Sequence, residues 1–178
     1  MKYQKILVAT AIAGYSFTAQ AENEYSAIPA MPVAEITQKV ISVATQYADS
    51  ISCGDTQIQP NEIAALVPWK DDTDRFDAEY AVIWHNDIGC WGGSGTSSTN
   101  ISIVKVGAGN SFYVVPDLSS PVIDFDIGAR FIERVIENTK DSIVLEALFH
   151  ADDDSNNFPS IKRKITVKVD DKGNWTRK

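Results

Sequence analysis

Residues 76–85 read Phe-Asp-Ala-Glu-Tyr-Ala-Val-Ile-Trp-His, and the period of the hydrophobic pattern changes at this stretch. Tyr80, Val82 and Trp84 alternate with the residues between them. This is the spacing of an extended strand, in which successive side chains point to opposite faces. Before the stretch the apolar residues follow a helical spacing, and after it they form short strand-like runs. The predicted order of elements is therefore a helix first and strands afterwards.

The segment before this stretch is predicted to hold one main amphipathic helix. Pro32 stands where the first helical residue is expected. Apolar residues then recur at spacings of three and four, which places them on one buried stripe of about four turns. They are Val33, Ile36, Val40, Val43 and Tyr47. The helix is expected to end within Ser50–Gly54, and a short second helix is predicted from Pro60 to about Leu66, stopped by Pro68.

Six further strand-like runs follow. They are Asn100–Val106, Ser111–Val115, Arg130–Ile136, Ser142–Phe149, Ile161–Val169 and Asn174–Arg177. The links between several of them are short turns rich in Gly, Asn and Asp, which indicates antiparallel neighbours, because a parallel crossover needs about a dozen residues or more. The predicted fold class is α+β, with one N-terminal amphipathic helix packed on a curved antiparallel sheet of about five to seven strands. This order resembles that of cystatin-like and NTF2-like domains, an analogy of fold that implies nothing about function.

The first 21 residues have the three-part layout of a secretory signal peptide. Two lysines make a basic start, Ile6–Phe17 is an apolar run, and Ala19-Gln20-Ala21 is a small-x-small cleavage site. The apolar run is too short to span a bilayer, which needs about 20 residues, so no membrane insertion is expected after cleavage. The alternative is the N-terminal helix of a cytosolic protein.

This layout divides the chain into three parts and predicts its location. They are a signal peptide at 1–21, a flexible lead-in at 22–30 and a single globular domain at 31–178. Cleavage after Ala21 would release the domain into the periplasm or the extracellular medium.

The charge of the chain limits the classes of partner. The sequence has 16 Lys and Arg against 24 Asp and Glu, a formal net charge of −8, and loss of the two leader lysines makes it −10. Nucleic-acid binding depends on Lys and Arg that neutralise phosphates, and anionic membrane surfaces attract the same residues. We therefore expect neither nucleic acid nor a membrane surface as partner, and a basic protein surface fits better.

Cys53 and Cys90 are the only cysteines in the sequence. An even pair in an exported chain predicts a disulfide, and the loop of about 38 residues that it closes is worth roughly 3.5–4 kcal/mol in the chain-entropy treatment. A redox or metal-binding pair is the alternative. The sequence offers no Cys-x-x-Cys spacing and no second pair of ligands for it.

The most unusual stretch is the glycine-rich segment that follows Cys90. Its residues are Trp91, Gly92, Gly93, Ser94, Gly95 and Thr96. Glycines adopt backbone conformations closed to other residues, and an aromatic side chain on a scaffold loop is a common interface anchor. The segment is the predicted partner- or ligand-binding site. The alternative is a plain connection between strands, with Trp91 packed on the disulfide.

Known catalytic motifs do not match this segment. In spelling it resembles the segment around the nucleophile of trypsin-like proteases, but Gly93 stands where Asp is required and Thr96 where the last Gly is required. The Gly-x-Ser-x-Gly pattern of lipases also fails at Thr96, and no phosphate-binding loop is present. With two histidines and no spaced carboxylates, we predict no catalytic residue, no cofactor and no metal site.

Two other groups of residues have structural interpretations. His150 precedes the oxygen-rich run Asp152–Asn157, which lacks the spacing and closing Glu of an EF-hand loop and is expected to be an exposed hairpin tip, with weak Ca²⁺ binding as the alternative. A zinc ion shared by His85 and His150 would require the fold to bring them together. Three alternating lysines are expected on one exposed strand face, either for solubility and edge protection or for an acidic partner. They are Lys162, Lys164 and Lys168.

Two functions of different classes fit these observations. The first is a non-catalytic envelope protein that binds another exported protein as an inhibitor, an immunity factor or an accessory subunit. The second is a cell-wall glycan-binding protein or a minor glycan hydrolase. Aromatic residues for stacking and a carboxylate would serve this alternative. They are Trp84, Trp91, Tyr80, Tyr113, and Asp87 or Glu79.

Overall fold

The computed structural model describes residues 31–71, 74–93, 95–125, 127–170 and 172–178. Within these ranges the chain forms one α-helix, α1 (Val33–Ile51), and nine strands. The strands are β1 (Ser52–Cys53), β2 (Ile63–Val67), β3 (Glu79–Ile88), β4 (Ser98–Val106), β5 (Phe112–Val114), β6 (Phe131–Asn138), β7 (Ser142–Phe149), β8 (Ile161–Val169) and β9 (Trp175–Arg177). The predicted α+β class is confirmed. The predicted signal peptide and lead-in lie outside the described residues.

Helix α1 buries a narrow stripe of side chains. The buried positions recur every four residues, at Ile36, Val40, Ala44 and Ala48. The prediction of an amphipathic helix is confirmed, but the stripe is rotated from the predicted one, since Val33 is 78% exposed. Two alanines at the contact let the helix approach its neighbour closely. Among the described residues, no helix is long and apolar enough to cross a membrane.

The predicted second helix is wrong. Pro60–Glu62 forms a single 3₁₀ turn, in which the Gln59 N–H donates to the Glu62 carboxylate over 2.6 Å. The chain then continues as β2, whose burial alternates along its five residues and which pairs antiparallel with the first half of β3. A short apolar run fits either a helix or a strand. The open edge of β3 supplied the hydrogen bonds that decided between them.

The strands form two antiparallel sheets rather than one curved sheet. In the first, β4 lies along one edge of β3, while β1 and β2 lie along the other edge, and β5 lies beyond β4. In the second, β6 to β9 are neighbours in chain order. The predicted number of strands is too low, because β1 and β2 were not recognised before β3.

The first sheet is covered on both faces. Tyr80, Val82 and Trp84 pack on α1, whereas Ala81 and Ile83 pack on the second sheet. A strand that is buried on both sides has a continuous apolar run instead of an alternation of apolar and polar residues. The layers are therefore the helix, the five-stranded sheet and the four-stranded sheet.

The register of the central strands positions the glycine-rich segment. Glu79 lies opposite Lys105 at one end of the β3–β4 pair, and Asn86 lies opposite Ser98 at the other. The connection from β3 to β4 contains the glycine-rich segment. The segment therefore projects from one end of the central sheet.

Candidate functional site

A disulfide holds the start of the glycine-rich segment. Cys53 and Cys90 are bonded, with their Cα atoms 5.1 Å apart, which confirms the predicted pairing. β1 also pairs with the end of β3, where Ser52 lies opposite Ile88 and Cys53 opposite Asp87. The end of α1 and the end of β3 are thus joined by both a short ladder and a covalent bond. The glycine-rich segment therefore starts from a rigid base.

The backbone of the segment depends on positive φ angles. Gly89, Gly92 and Gly93 have φ values of 96°, 69° and 122°, and Cys90 has a φ of 60°. Glycine adopts such values without steric cost, whereas a residue with a Cβ is uncommon there. The glycines are therefore needed for the path of this loop. Ser94 lies outside the described residues.

The carboxylate of Asp87, at the end of β3, holds the loop through hydrogen bonds. This residue is only 6% exposed, and its Oδ2 accepts the N–H of Gly92 at 2.9 Å and the hydroxyl of Thr96 at 2.8 Å. The pKa of Asp87 lies below its usual range, mainly because its carboxylate accepts the hydrogen bond from the Gly92 N–H. An ionised carboxylate accepts such hydrogen bonds more strongly than a neutral acceptor does. The two sides of the loop are thereby tied to the end of β3.

Trp91 is the most exposed large apolar side chain of the described residues, with 82% of its surface accessible. Its indole lies against the backbone of Gly89, because a Cβ added to Gly89 would stand 2.9 Å from Trp91 Nε1. The indole is therefore not part of the core, and the binding site and the plain connection with Trp91 beside the disulfide both stay predictions. The indole is displayed to solvent by a loop that the disulfide and Asp87 hold.

Arg130 joins this loop to a second one, the β7–β8 connection. Its guanidinium donates to the carbonyl of Ser97 at 2.6 Å, to the carbonyl of Asn156 at 3.0 Å and to the side-chain oxygen of Asn157 at 3.2 Å. Gly95 faces Asn156 so closely that an added Cβ would stand 3.3 Å from its side-chain nitrogen. The two loops therefore form one surface.

The β7–β8 connection displays a second aromatic residue. Phe158 is 76% exposed, and its N–H donates to the carbonyl of Ser155 at 2.9 Å. We call the surface formed by residues 89–93, 95–97 and 151–160 the loop end. Sequence reasoning missed Phe158 and Arg130, because nothing in the sequence shows that residues 95 and 156 come into contact.

A groove borders the loop end. Its volume is about 470 Å³, and its walls include Ser98, Thr99, Ser120, Val122 and Arg130. Val122 is 64% exposed, so a third apolar side chain lies close to Arg130. The groove is lined by both hydroxyl and apolar groups. Protein interfaces have such a mixed lining, with apolar contacts and hydrogen bonds side by side.

His85 lies beneath the loop end, next to Phe131 with ring centroids 4.9 Å apart. Burial is the main cause that lowers the pKa of His85 to about 4, and the positive charge of Arg130 is the second. The imidazole is therefore neutral at pH 7.

We expect His85 to make the folded protein less stable in mild acid. Between pH 6.5 and about 4 the unfolded chain binds a proton at His85 that the folded chain does not bind. The stabilisation is complete above pH 6.5 and is lost as the pH falls towards 4. For a fully buried histidine this pKa shift would correspond to a stabilisation of about 3 kcal/mol. Because His85 keeps partial contact with solvent, we expect about 1–2 kcal/mol.

Urea unfolding at pH 7 and pH 4.5 tests this expectation on the wild type and on His85→Phe, which keeps a ring beside Phe131. Between pH 7 and pH 4.5 the free energy of unfolding should fall by about 1–2 kcal/mol more in the wild type than in the variant. Glu62, whose pKa burial raises, acts in the opposite direction but is present in both proteins. An equal loss in both proteins would contradict the assignment to His85.

The residues of the glycan alternative are scattered. Trp84 and Tyr80 are 1% and 5% exposed, so neither offers a ring for stacking. Glu79 forms an ion pair with Lys105 at 3.0 Å and lies at the opposite end of β3 from Asp87. The two residues are eight positions apart along the strand, a distance of about 26 Å, whereas carboxylate pairs in glycosidases lie about 5–10 Å apart. Only Trp91 and Tyr113 of this set are exposed to any large extent.

The acidic run at 152–154 is partly structural. Asp154 accepts the N–H groups of Ala151 at 2.7 Å and Ser160 at 2.6 Å, which closes the loop, and these hydrogen bonds hold its pKa below the usual range. Asp152 and Asp153 are exposed. Over the described ranges no group of three His, Cys, Asp or Glu side chains is placed to hold a metal ion.

The three lysines of β8 are exposed, as predicted. β7 pairs with residues 161–168 of β8, whereas β9 pairs only with Val167–Val169. Among the described strands, the part of β8 that holds Lys162 and Lys164 therefore has a neighbour on one side, and the interpretation as solubility or edge protection stays a prediction. Lys162 forms an ion pair with Glu133 of β6, and this hydrogen bond raises the pKa of the lysine.

No family model, no curated protein and no solved structure matches this chain. The function is therefore argued from the loop end itself.

Proposed function

We propose that the chain is an exported binding protein that recognises another exported protein through the loop end, as an inhibitor, an immunity factor or an accessory subunit. The observation that carries this proposal is the 82% exposure of Trp91 on a loop held at both sides. Aromatic anchors, tryptophan above all, supply much of the binding energy of interfaces. An exposed anchor on a mobile loop would lose much of that energy to ordering.

The support of the loop reduces this ordering cost. The Cys53–Cys90 bond, the two hydrogen bonds to Asp87 and the Arg130 contacts across the two loops hold the backbone before a partner arrives. Preorganisation of this kind raises affinity without new contacts. The disulfide also fits an oxidising compartment, in agreement with the predicted export.

The charge of the chain indicates the kind of partner. The formal net charge is −8, and the exposed Asp152 and Asp153 lie in the same loop as Phe158. A basic surface around an apolar pocket would complement this arrangement, and opposite charges would accelerate association at low salt. Binding is therefore expected to weaken as salt rises.

We expect Trp91→Ala to weaken partner binding about 30-fold, which corresponds to about 2 kcal/mol for a central aromatic anchor. The melting temperature should stay close to that of the wild type, because the side chain is exposed. The mature protein is immobilised, partners are recovered from envelope extract, and the affinity of the recovered partner is then measured for each variant.

Two variants serve as controls in this experiment. Tyr113→Ala removes a partly exposed aromatic side chain at the far end of the sheet and should leave binding unchanged, whereas Phe158→Ala should weaken it. A recovered protein that binds wild type and Trp91→Ala equally would refute the proposal, and so would the lack of any salt-sensitive partner. Peptidoglycan fragments that change the tryptophan fluorescence would favour the glycan alternative instead.

A further inference from the structure

The second sheet has an open stretch of edge at the start of β8. β9 pairs only with residues 167–169, so among the described strands residues 161–165 have β7 as their one neighbour. Residues 162–164 are all exposed. Arg163 is exposed although it lies on the same face of the strand as the buried Ile165, so solvent reaches both sides of the strand here. This stretch is therefore open to another chain.

The backbone groups of Lys162 and Lys164 point out of this edge. The Lys178 N–H donates to the Thr166 carbonyl at 2.9 Å, on the side of β9. In an antiparallel ladder successive residues direct their N–H and C=O groups to opposite neighbours, and β8 pairs with β7 without a register shift. Lys162 and Lys164 therefore face the same side as Thr166. Their two N–H donors and two carbonyl acceptors form the pattern that one more strand would complete.

The open edge lies in a basic part of the chain. Residues 161–178 contain seven Lys and Arg and two Asp, a formal charge of +5, although the whole chain has a formal charge of −8. All seven basic residues are exposed. Lys164 lies opposite Glu146, but that carboxylate pairs with Arg134 at 2.9 Å. The charge along this edge is therefore opposite to that of the molecule as a whole, and it favours an acidic partner.

We propose that the open edge of β8 binds an extended acidic segment of another protein as an additional antiparallel strand. Acidic side chains of that segment lie opposite residues 162–164, and apolar ones lie opposite Ile161 and Ile165. Opposite charges stabilise a cross-strand pair, whereas like charges directly opposite destabilise it. Lysines on an edge discourage pairing in general, so the residues that protect this edge also select an acidic strand. This site is independent of the loop end and of the function proposed for it.

The backbone of the edge favours a polypeptide over other polyanions. A phosphate polymer or an anionic membrane would use the basic side chains alone. A strand uses these side chains and also the backbone groups of Lys162 and Lys164, because a polypeptide presents N–H and C=O groups at the matching spacing. Binding that depends on the backbone of the ligand therefore separates a peptide from the other anions.

A blocked peptide of sequence Thr-Val-Glu-Glu-Glu-Val-Thr is a suitable probe. Its first and third glutamates would exchange backbone hydrogen bonds with Lys164 and Lys162, whereas the N–H groups of its valines would point away from β8. N-methylation of these two glutamates should therefore weaken binding about tenfold or more relative to N-methylation of the two valines, since it removes two hydrogen bonds. Fluorescence polarisation of the labelled peptides at about 0.1 M salt measures both affinities. Equal affinities, or no saturable binding of the unmethylated peptide, would overturn the proposal.

Two charge-reversal variants locate the site. Lys164→Glu should weaken binding of the unmethylated peptide about tenfold. Lys140→Glu makes the same change at an exposed lysine in the β6–β7 turn and should leave the affinity close to that of the wild type, because distant charges are screened. Lys164 is chosen because Lys162 already pairs with Glu133. Equal losses in the two variants would contradict the assignment to this edge.

Hydrogen exchange of the wild type gives a direct readout of strand addition. Saturation with the peptide should slow exchange at the Lys162 and Lys164 amides, which face outward, and leave the Arg163 amide, which faces β7, as slow as before. Unchanged exchange at both lysines would overturn the proposal, and so would polyphosphate that binds as tightly as the peptide. If Lys164→Glu does not fold, the pair of methylated peptides on the wild type still decides.

Discussion

Removal of the Cys53–Cys90 bond is expected to lower the free energy of unfolding by about 4 kcal/mol. The two cysteines are 37 positions apart, and the loss of a cross-link over a loop of this length adds that amount of chain entropy to the unfolded state. For a domain of this size the melting temperature should fall by about 8–16 °C.

The effect should be largest at the loop end. Without the bond, the two-residue ladder of β1 and the hydrogen bonds from Asn86 to Gly54 and Thr56 are what join the end of β3 to the segment after α1. Cys90 would also lose the covalent restraint on its positive φ of 60°, a conformation that non-glycine residues rarely adopt. Amide exchange at residues 89–93 and 95–97 should therefore accelerate more than exchange at the centre of β3.

The double variant Cys53→Ser, Cys90→Ser and the reduced wild type provide two independent measurements. Thermal unfolding should give the same decrease for both, and reducing agent should have no further effect on the double variant. A double variant with the stability of the oxidised wild type would show that the bond contributes nothing to the fold. Partner binding that is unchanged in the double variant would show that the loop does not need this anchor.

Trp84→Ala is expected to lower the free energy of unfolding by about 3–5 kcal/mol. The side chain is 1% exposed and lies in the cluster between α1 and the central sheet, so its loss leaves a cavity that the neighbouring strands cannot fill. Its Nε1 also donates to the buried Ser102 hydroxyl at 2.9 Å. Removal of the indole leaves that hydroxyl without its donor, which adds to the cost.

Denaturant unfolding of a graded series measures this effect. Trp84→Phe keeps much of the volume and should cost about 1–3 kcal/mol, while Trp91→Ala is the matched control that removes the same side chain from an exposed position. The control should stay within about 0.5 kcal/mol of the wild type. Similar losses in Trp84→Ala and Trp91→Ala would contradict the assignment of one residue to the core and the other to the surface.

The local pattern of the chain predicted most elements well. β7 and β8 have the bounds Ser142–Phe149 and Ile161–Val169 that the alternation of apolar residues indicated, because each has one face against the core and the period of two is visible. The prediction failed at β2, where five apolar residues gave no distinct period. There the pairing with β3, a contact between distant parts of the sequence, selected the strand.

Some residues of the candidate site were predicted from the sequence, and others were revealed only by the structure. The cysteine pair and the glycines after Cys90 marked the loop from the sequence, since a disulfide and positive φ angles each require particular residue types. The exposure of Trp91 did not follow from the sequence, because Trp84 and Trp91 are the same residue type seven positions apart and only packing separates them. Phe158 and Arg130 joined the site through contacts that span more than 25 positions.

The sequence by itself determined the α+β class, the main helix, most of the strands and the disulfide, because these depend on the period of apolar residues and on residue type within short segments. Only the tertiary structure decided that the strands form two sheets, that residues 80–84 are buried on both sides, and which aromatic residues reach solvent. The physical reason is that burial is a property of surfaces brought together by the whole chain. In an apolar run such as Tyr80 to Trp84, neither face carries polar residues that would show which layer covers it.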